Sequence, residues 1–307
     1  MSSSYENVPD DDEGSGDDDP IRVRQLSRNY TDLSVNGLTS LGSAFYLTGD
    51  DGVIGVWHTL PVNISNEYRN LGVSPTENDV RKMLSRSGFP VVFYLHGNSF
   101  DRTHPHRVGL SNLLNDMNYH VVTFDYRGFG DSPGTTTTVF GMYNDSLLVY
   151  KYIRNNSGSN TIIVWGHSMG TAMSTQLVVK TSRTWTTPHG LILEGAFNNL
   201  KDAFMDLWFS FPVQWMPDRW VEALIVRRLL DVGLTMLRND RYIKNVTCPI
   251  LMLHAEDDPI VDVELARRLR DVAVSASRDI QYIEFEASRG YNHEDIFEAP
   301  ELHQIIP

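Results

Sequence analysis

Cysteine is almost missing from this chain. Cys248 is the single one in 307 residues, so no intrachain disulfide can form and the fold cannot depend on oxidation. Its setting, Thr247 and Pro249 ahead of an apolar run, suits a small buried residue and not a reactive thiol. Basic charge is also scarce. The 26 Lys and Arg stand against 39 Asp and Glu, and the net charge of −13 argues against nucleic acid as a partner. Long hydrophobic runs are lacking too. The longest candidate for a membrane span, Val221 to Leu237, is broken by Glu222, Arg227, Arg228 and Asp231. No apolar segment follows a basic start, so no signal peptide is expected and a cytoplasmic location stays open.

The acidic charge is concentrated at one end. Residues 1–20 hold Glu6, Asp10, Asp11, Asp12, Glu13, Asp17, Asp18 and Asp19 and no Lys or Arg, which leaves a mild −5 on the rest. Such a segment cannot bury enough apolar surface to order itself. Residues 1–35 are therefore expected to be an acidic disordered tail and linker, and residues 36–307 one domain.

Within that domain the patterning changes several times. Phe45 to Leu47 and Val53 to Thr59 are rich in β-formers and flank Asp51-Gly52, a hairpin signal. Residues 61–88 are polar and turn-rich and read as an insertion or long loop. An alternation follows, with strands at Val91 to Leu95, His120 to Phe124, Ile162 to Trp165, Leu191 to Leu193, Ile250 to His254 and Ile280 to Phe285. Helical stretches stand between them at 108–117, 139–153, 171–180 and 264–274, with a closing helix at 295–306. Strands alternating with helices predict a mostly parallel sheet covered on both faces, an α/β architecture. One block interrupts it. Residues 199–246 hold three of the six tryptophans, with Trp208, Phe209 and Trp215 among its large aromatics. Two readings stand side by side: a helical insertion packed on the body, or a lid over an apolar pocket in which Trp208, Phe209 and Trp215 meet substrate.

The alternation centres on Thr161 to Gln176. A β-branched strand runs into Gly166-His167-Ser168-Met169-Gly170, and small helix-compatible residues follow. The pentapeptide G-x-S-x-G is a weak signal alone, but strand before and helix after make it a nucleophile elbow, a turn that exposes the serine hydroxyl. Side chains at the two glycines would strike the neighbouring strand and helix. A serine hydroxyl needs a base, and in this arrangement the partners come in the order Ser, acid, His. Of the ten histidines, only His293 and His303 follow the acidic loop Glu256-Asp257-Asp258. His303 falls within the expected closing helix, which leaves His293 as base. Asp258, which precedes Pro-Ile-Val, is preferred over Asp257 as the acid. The oxyanion hole draws one N–H from Met169, after the nucleophile, and one from Asn98, after the strand ending in His96-Gly97. No cofactor is called for. His104 and His106 have no third ligand at a telling spacing, so no metal is expected.

YLHGN, HVVTFDYRGFGDSPG, WGHSMGT, LILEGAF, CPILMLHAEDDPIV and GYNHEDIFEAPEL are more particular than any one motif. Together they resemble the α/β-hydrolase fold serine hydrolases, and within them the monoacylglycerol and lysophosphatidylserine lipases of the α/β-hydrolase-domain protein twelve type. The resemblance implies hydrolysis of the ester of one-chain lipids through an acyl-enzyme, with the triad on Ser168, Asp258 and His293. It also implies association with the endoplasmic reticulum membrane, although relatives carry a membrane helix where this chain has its acidic tail. Contact with a membrane surface is compatible with either location. Arg102, in a loop less Gly-rich than in those lipases, is a candidate ligand for an anionic headgroup. Hydrolysis of protein thioesters or small esters, or a non-catalytic binding role, are the competing functions.

Overall fold

A computed structural model describes residues 29–50, 52–134, 138–183, 187–199, 202 and 237–306. Its centre is an eight-stranded sheet. The strands are β1 (Gly42–Gly49), β2 (Gly52–Thr59), β3 (Val91–Leu95), β4 (His120–Phe124), β5 (Ile162–His167), β6 (Gly190–Glu194), β7 (Ile250–Ala255) and β8 (Ile280–Phe285). They lie side by side in the order β1-β2-β4-β3-β5-β6-β7-β8. β1 and β2 form the expected antiparallel hairpin, β2 runs antiparallel to β4, and every later pair is parallel. This is the α/β-hydrolase fold.

Among the described residues the helices are α1 (Val62–Asn70), α2 (Glu77–Met83), α3 (Pro105–Asp116), α4 (Val139–Asn156), α5 (Met169–Thr181), α6 (Asn239–Tyr242), α7 (Val263–Ser275) and α8 (Leu302–Ile305). The period of two along each buried strand divides the core in half. Val91, Phe93, Leu95, Ile162, Val164, Leu191, Leu193, Ile250 and Met252 point to the face covered by α4, α5 and α7. Val92, Tyr94, Ile163, Trp165, Ile192, Leu251 and Leu253 point to the other face, against α3 and the C-terminal segment. Strands buried on both faces need no polar alternation, which is why they read as continuous apolar runs.

Three expectations are corrected. Residues 61–88 are not a loop. They hold α1 and α2, and α2 begins with a reciprocal capping box in which Thr76 and Asp79 satisfy each other's backbone N–H groups. The closing helix is not continuous. A 3-10 turn at Ile296–Glu298 is separated from the four-residue α8 by Pro300, which disfavours helical geometry at Ala299 before it. The tail boundary also lies earlier than residue 35. Trp57 Nε1 donates to the Tyr30 carbonyl at 2.7 Å, and Leu33 packs with Leu38, Trp57 and Val108. Residues 1–28 lie outside the described residues, as do 203–236 of the aromatic block. The end of that block is anchored in the core. Leu237, Ile243 and Val246 are buried, and Asn239 Nδ2 donates to Phe197 O at 2.9 Å and Thr171 Oγ1 at 3.0 Å.

Cys248 is buried as expected, and burial pushes its thiol up to about 11. A thiol so held stays protonated and is not a nucleophile. Among the described residues no helix is long and apolar enough to cross a membrane.

Candidate active site

A parallel sheet delivers its loops to one edge, the carboxyl ends of the strands. Ser168 follows β5 there, Asn98 follows β3, Gly195 follows β6, Asp258 follows β7 and His293 follows β8. The turn at Ser168 is sharp. Its backbone stands at φ 54, ψ −121, a conformation that costs a non-glycine residue about 1–3 kcal/mol and persists only where the surroundings impose it. Those surroundings are tight. A Cβ on Gly170 would stand 2.1 Å from the Leu95 carbonyl oxygen, and one on Gly166 would stand 2.3 Å from Ser174 Oγ and 2.4 Å from Gly170 O. Only glycine lets strand, turn and helix approach this closely. The Ser168 N–H donates to the Glu194 carbonyl at 2.9 Å, which ties the turn to the neighbouring strand end.

Helix α5, which starts after Ser168, is itself buried nearly all round. Its small residues Gly170, Thr171, Ala172, Ser174 and Thr175 allow that packing. Their hydroxyls bond back into the helix, Thr175 Oγ1 to Thr171 O at 2.7 Å and Ser174 Oγ to Thr171 O at 3.0 Å. Met169 is the first residue of α5, so its N–H has no acceptor within the helix. Gly97 lies against the elbow, and a Cβ there would be 3.1 Å from Ser168 Cβ. The exposed Asn98 is next to it in sequence. Arg107 of α3 steadies this loop by donating to the carbonyls of Asp101, at 2.6 Å, and of Ser99.

His293 Nδ1 stands 2.7 Å from Asp258 Oδ2. The carboxylate can only accept, so Nδ1 carries the proton and Nε2 keeps its lone pair for another donor. Asp258 is fixed on its other oxygen by the N–H groups of Ile260, at 2.8 Å, and Val261, at 2.9 Å. Burial works to raise its pKa, but the His293 hydrogen bond and charge, the Val261 N–H and the nearby His254 outweigh that and hold the carboxyl below its ordinary value. Asp257 acts on the loop and not on the imidazole. Its Oδ2 accepts the backbone N–H of Asn292 at 3.2 Å, supporting the segment that carries His293. A Cβ on Gly195 would be 3.1 Å from His293 Cε1 and 3.7 Å from Asp258 Oδ2, so the end of β6 lies under the same pair. Ser168, Asp258, His293, Asn98 and Met169 thus all follow strand ends at one sheet edge. His303 is exposed on α8, away from this arrangement.

Other expected contacts fall elsewhere. Arg102 is buried and turned into the body. Its Nη1 pairs with Asp125 Oδ2 at 2.5 Å and Asp131 Oδ1 at 2.6 Å, and its guanidinium lies over the rings of Tyr30 and Trp57. A guanidinium held this way is not available to a headgroup, which corrects that expectation. His106 is buried in the first turn of α3. It meets His167 and Glu194, whose ligand-capable atoms all lie within 4.8 Å of one another and of its own. No local spacing announces that cluster, because its members come from α3, β5 and β6. Trp208, Phe209 and Trp215 lie outside the described residues.

Residues 91–234 match the family model described as "Serine aminopeptidase, S33". Over 267 residues, 85% of this chain, the sequence is 38% identical to the lysophosphatidylserine lipase ABHD12 of Xenopus tropicalis and covers 67% of it. The ABHD12 of Rattus norvegicus is likewise 38% identical, with 65% of its length covered. Human protein ABHD12B is 30% identical over 84% of this chain and 69% of its own. The chain spans about two thirds of the length of these relatives. Among solved structures, the Pyrococcus furiosus esterase Pf2001 superposes with a TM-score of 0.62 at 15% identity, covering 93% of this chain and 94% of that one. Est1E from Butyrivibrio proteoclasticus, solved with ferulic acid bound, gives 0.59 at 16% identity, over 85% of this chain and 98% of its own. These two share the fold. The sequence relatives share more, and on that ground the chain belongs to the family of the lysophosphatidylserine lipase ABHD12.

Proposed function

We propose that the protein is a serine lipase that cleaves the acyl ester of a lysophospholipid of the lysophosphatidylserine class, with Ser168, Asp258 and His293 as its triad. The observation that carries the site is the pairing of His293 Nδ1 with Asp258 at 2.7 Å, at the same sheet edge as a serine on a strained elbow. The activity for which the relatives are named supports the substrate class.

The chemistry follows from the tautomer. With Nδ1 protonated and facing Asp258, His293 Nε2 takes the Ser168 proton as Oγ attacks the ester carbonyl. The imidazolium so formed is stabilised by the ionised Asp258. The N–H groups of Asn98 and Met169 receive the charge that develops on the carbonyl oxygen, each contributing roughly 3–4 kcal/mol to the transition state. His293 then protonates the departing glycerol oxygen, and the headgroup-bearing alcohol leaves an acyl-Ser168. Water attacks that ester with His293 again as base, releasing the fatty acid and restoring the serine. No metal or cofactor enters these steps.

A panel of long-chain lysophosphatidylserine, monoacylglycerol, acyl thioester and short-chain ester substrates tests the assignment. The reading expects the highest kcat/KM on a long-chain one-chain lipid. Faster turnover of the thioester or the short ester contradicts it.

A further inference from the structure

Glu194 ends β6 with a carboxylate that is fully buried, and the steps above leave it without a role. Its two halves reach both members of the catalytic pair. The main-chain carbonyl accepts the Ser168 N–H at 2.9 Å. On the side chain, Oε2 accepts Trp165 Nε1–H at 2.8 Å, and Oε1 faces His106 Nε2 at 3.4 Å. The His106 ring meets the His167 ring edge-on, 4.5 Å between centroids. His167 Nε2 in turn lies 2.9 Å from the carbonyl oxygen of His293. That oxygen can only accept, so His167 donates to it and its Nδ1 is bare.

We propose that Glu194 is a positioning residue for the catalytic pair. Its main chain fixes the turn of Ser168, and its carboxylate, through His106 and His167, braces the loop that carries His293. The proposal rests on the triad reading above. Its electrostatic sense is favourable as well. His293 is faced by Asp258 and His254 from the β7 side, by His167 from β5, by His106 from α3 and by Glu194 from β6. Burial holds the three surrounding histidines below their ordinary pKa and so neutral at pH 7. Glu194 is then, beside Asp258, a buried carboxylate that an imidazolium at His293 meets. The Trp165 N–H is the donor that holds this carboxylate in its apolar setting, and His106 Nε2 stands 3.4 Å from its other oxygen.

The test is steady-state kinetics and a pH profile on the purified full chain carrying Glu194→Gln, beside Ser168→Ala and wild type, with thermal unfolding and metal content measured on the same samples. Glutamine keeps the shape and an acceptor for Trp165 but removes the charge. The expected result is a kcat about 10- to 100-fold lower with KM within about 2-fold, an unfolding midpoint near wild type, and an acid limb of kcat/KM moved to lower pH. His167→Leu, which loses the donor to His293 O, is expected to lower kcat by a similar factor, and His167→Gln, whose amide N–H can replace it, to recover most of it. This pair decides the matter if Glu194→Gln does not fold. A wild-type kcat and pH profile in Glu194→Gln, or equal losses in both His167 variants, overturns the proposal. A stoichiometric metal ion in wild type would assign the cluster to metal binding and overturn it too. If Ser168→Ala keeps its activity, the triad reading fails instead.

Discussion

His167 Nε2 donates to the carbonyl oxygen of His293 across 2.9 Å, so the residue immediately before Ser168 holds the residue we propose as its base. The elbow and the base loop are separated by 125 positions in sequence but are not independent in space. Any change that moves one moves the other, and several measurable consequences come from this coupling and from the packing around it.

The two neighbouring aspartates should separate cleanly. Asp258 contacts His293 Nδ1, whereas Asp257 accepts only a backbone N–H of the same loop. Asp258→Asn is expected to lower kcat by about 10⁴-fold, because the amide no longer fixes the tautomer that leaves Nε2 bare. Asp257→Asn should stay within about 10-fold of wild type, because the amide oxygen can still accept the Asn292 N–H. Ester hydrolysis by the two purified variants checks this, and equal losses would reverse the assignment.

Glycine positions divide into those that hold the fold and those that hold the site. A methyl at Gly170 meets backbone at 2.1 Å and cannot be relieved by a rotamer change, so Gly170→Ala should cost at least about 1–3 kcal/mol and lower the thermal midpoint. Gly195 has φ +58, and a methyl there presses on His293 at 3.1 Å. Gly195→Ala should therefore lower kcat more than its loss of stability explains. Melting curves and kinetics on both variants decide it.

Arg102 should behave as a structural residue. Replacing it by Met leaves Asp125 buried without its guanidinium, a loss of about 3–5 kcal/mol. Any folded fraction should show a KM for anionic and neutral one-chain lipids unchanged from wild type. A selective rise in KM for the anionic lipid would return Arg102 to headgroup recognition.

Stability should fall on mild acidification. Burial holds His58, His96 and His167 well below their ordinary pKa, and His106 and His120 down to about 3. Between those folded values and about 6.5 the unfolded chain binds more protons, so each such histidine removes up to about 1.4 kcal/mol per pH unit as pH drops below 6.5. Glu194, raised by burial, works in the opposite sense and offsets part of this. Asp258, held low, loses its contribution only below the ordinary carboxylate range and leaves this window alone. Thermal unfolding from pH 7.5 to 5 should show a midpoint falling by several degrees, and a flat profile contradicts the burial of these imidazoles as neutral rings.

The sheet strands and the elbow were legible because both obey local rules: apolar runs of strand length, and a glycine pair that no other residue can replace. The pairing of Asp258 with His293 was legible because the fold delivers successive strand ends to one edge. α1 and α2 were hidden by their polarity, since each buries little; the Thr76 to Asp79 capping box was the signal that could have shown α2. Arg102 could not be placed from sequence, because its partners Asp125 and Asp131 come from a later loop and compete with any headgroup for the same guanidinium. The cluster of His106, His167 and Glu194 was invisible for the same reason, as three strand and helix ends must be brought together before its members meet.

The central claim is that Ser168 becomes acylated by a lysophospholipid. The direct measurement is hydrolysis of a long-chain lysophosphatidylserine by wild type and Ser168→Ala, with a fluorophosphonate probe and mass spectrometry locating the labelled residue. The account predicts fatty-acid release by wild type, labelling at Ser168, and loss of both in a variant that melts like wild type. Lipid hydrolysis retained by folded Ser168→Ala, or labelling at another residue, would contradict it.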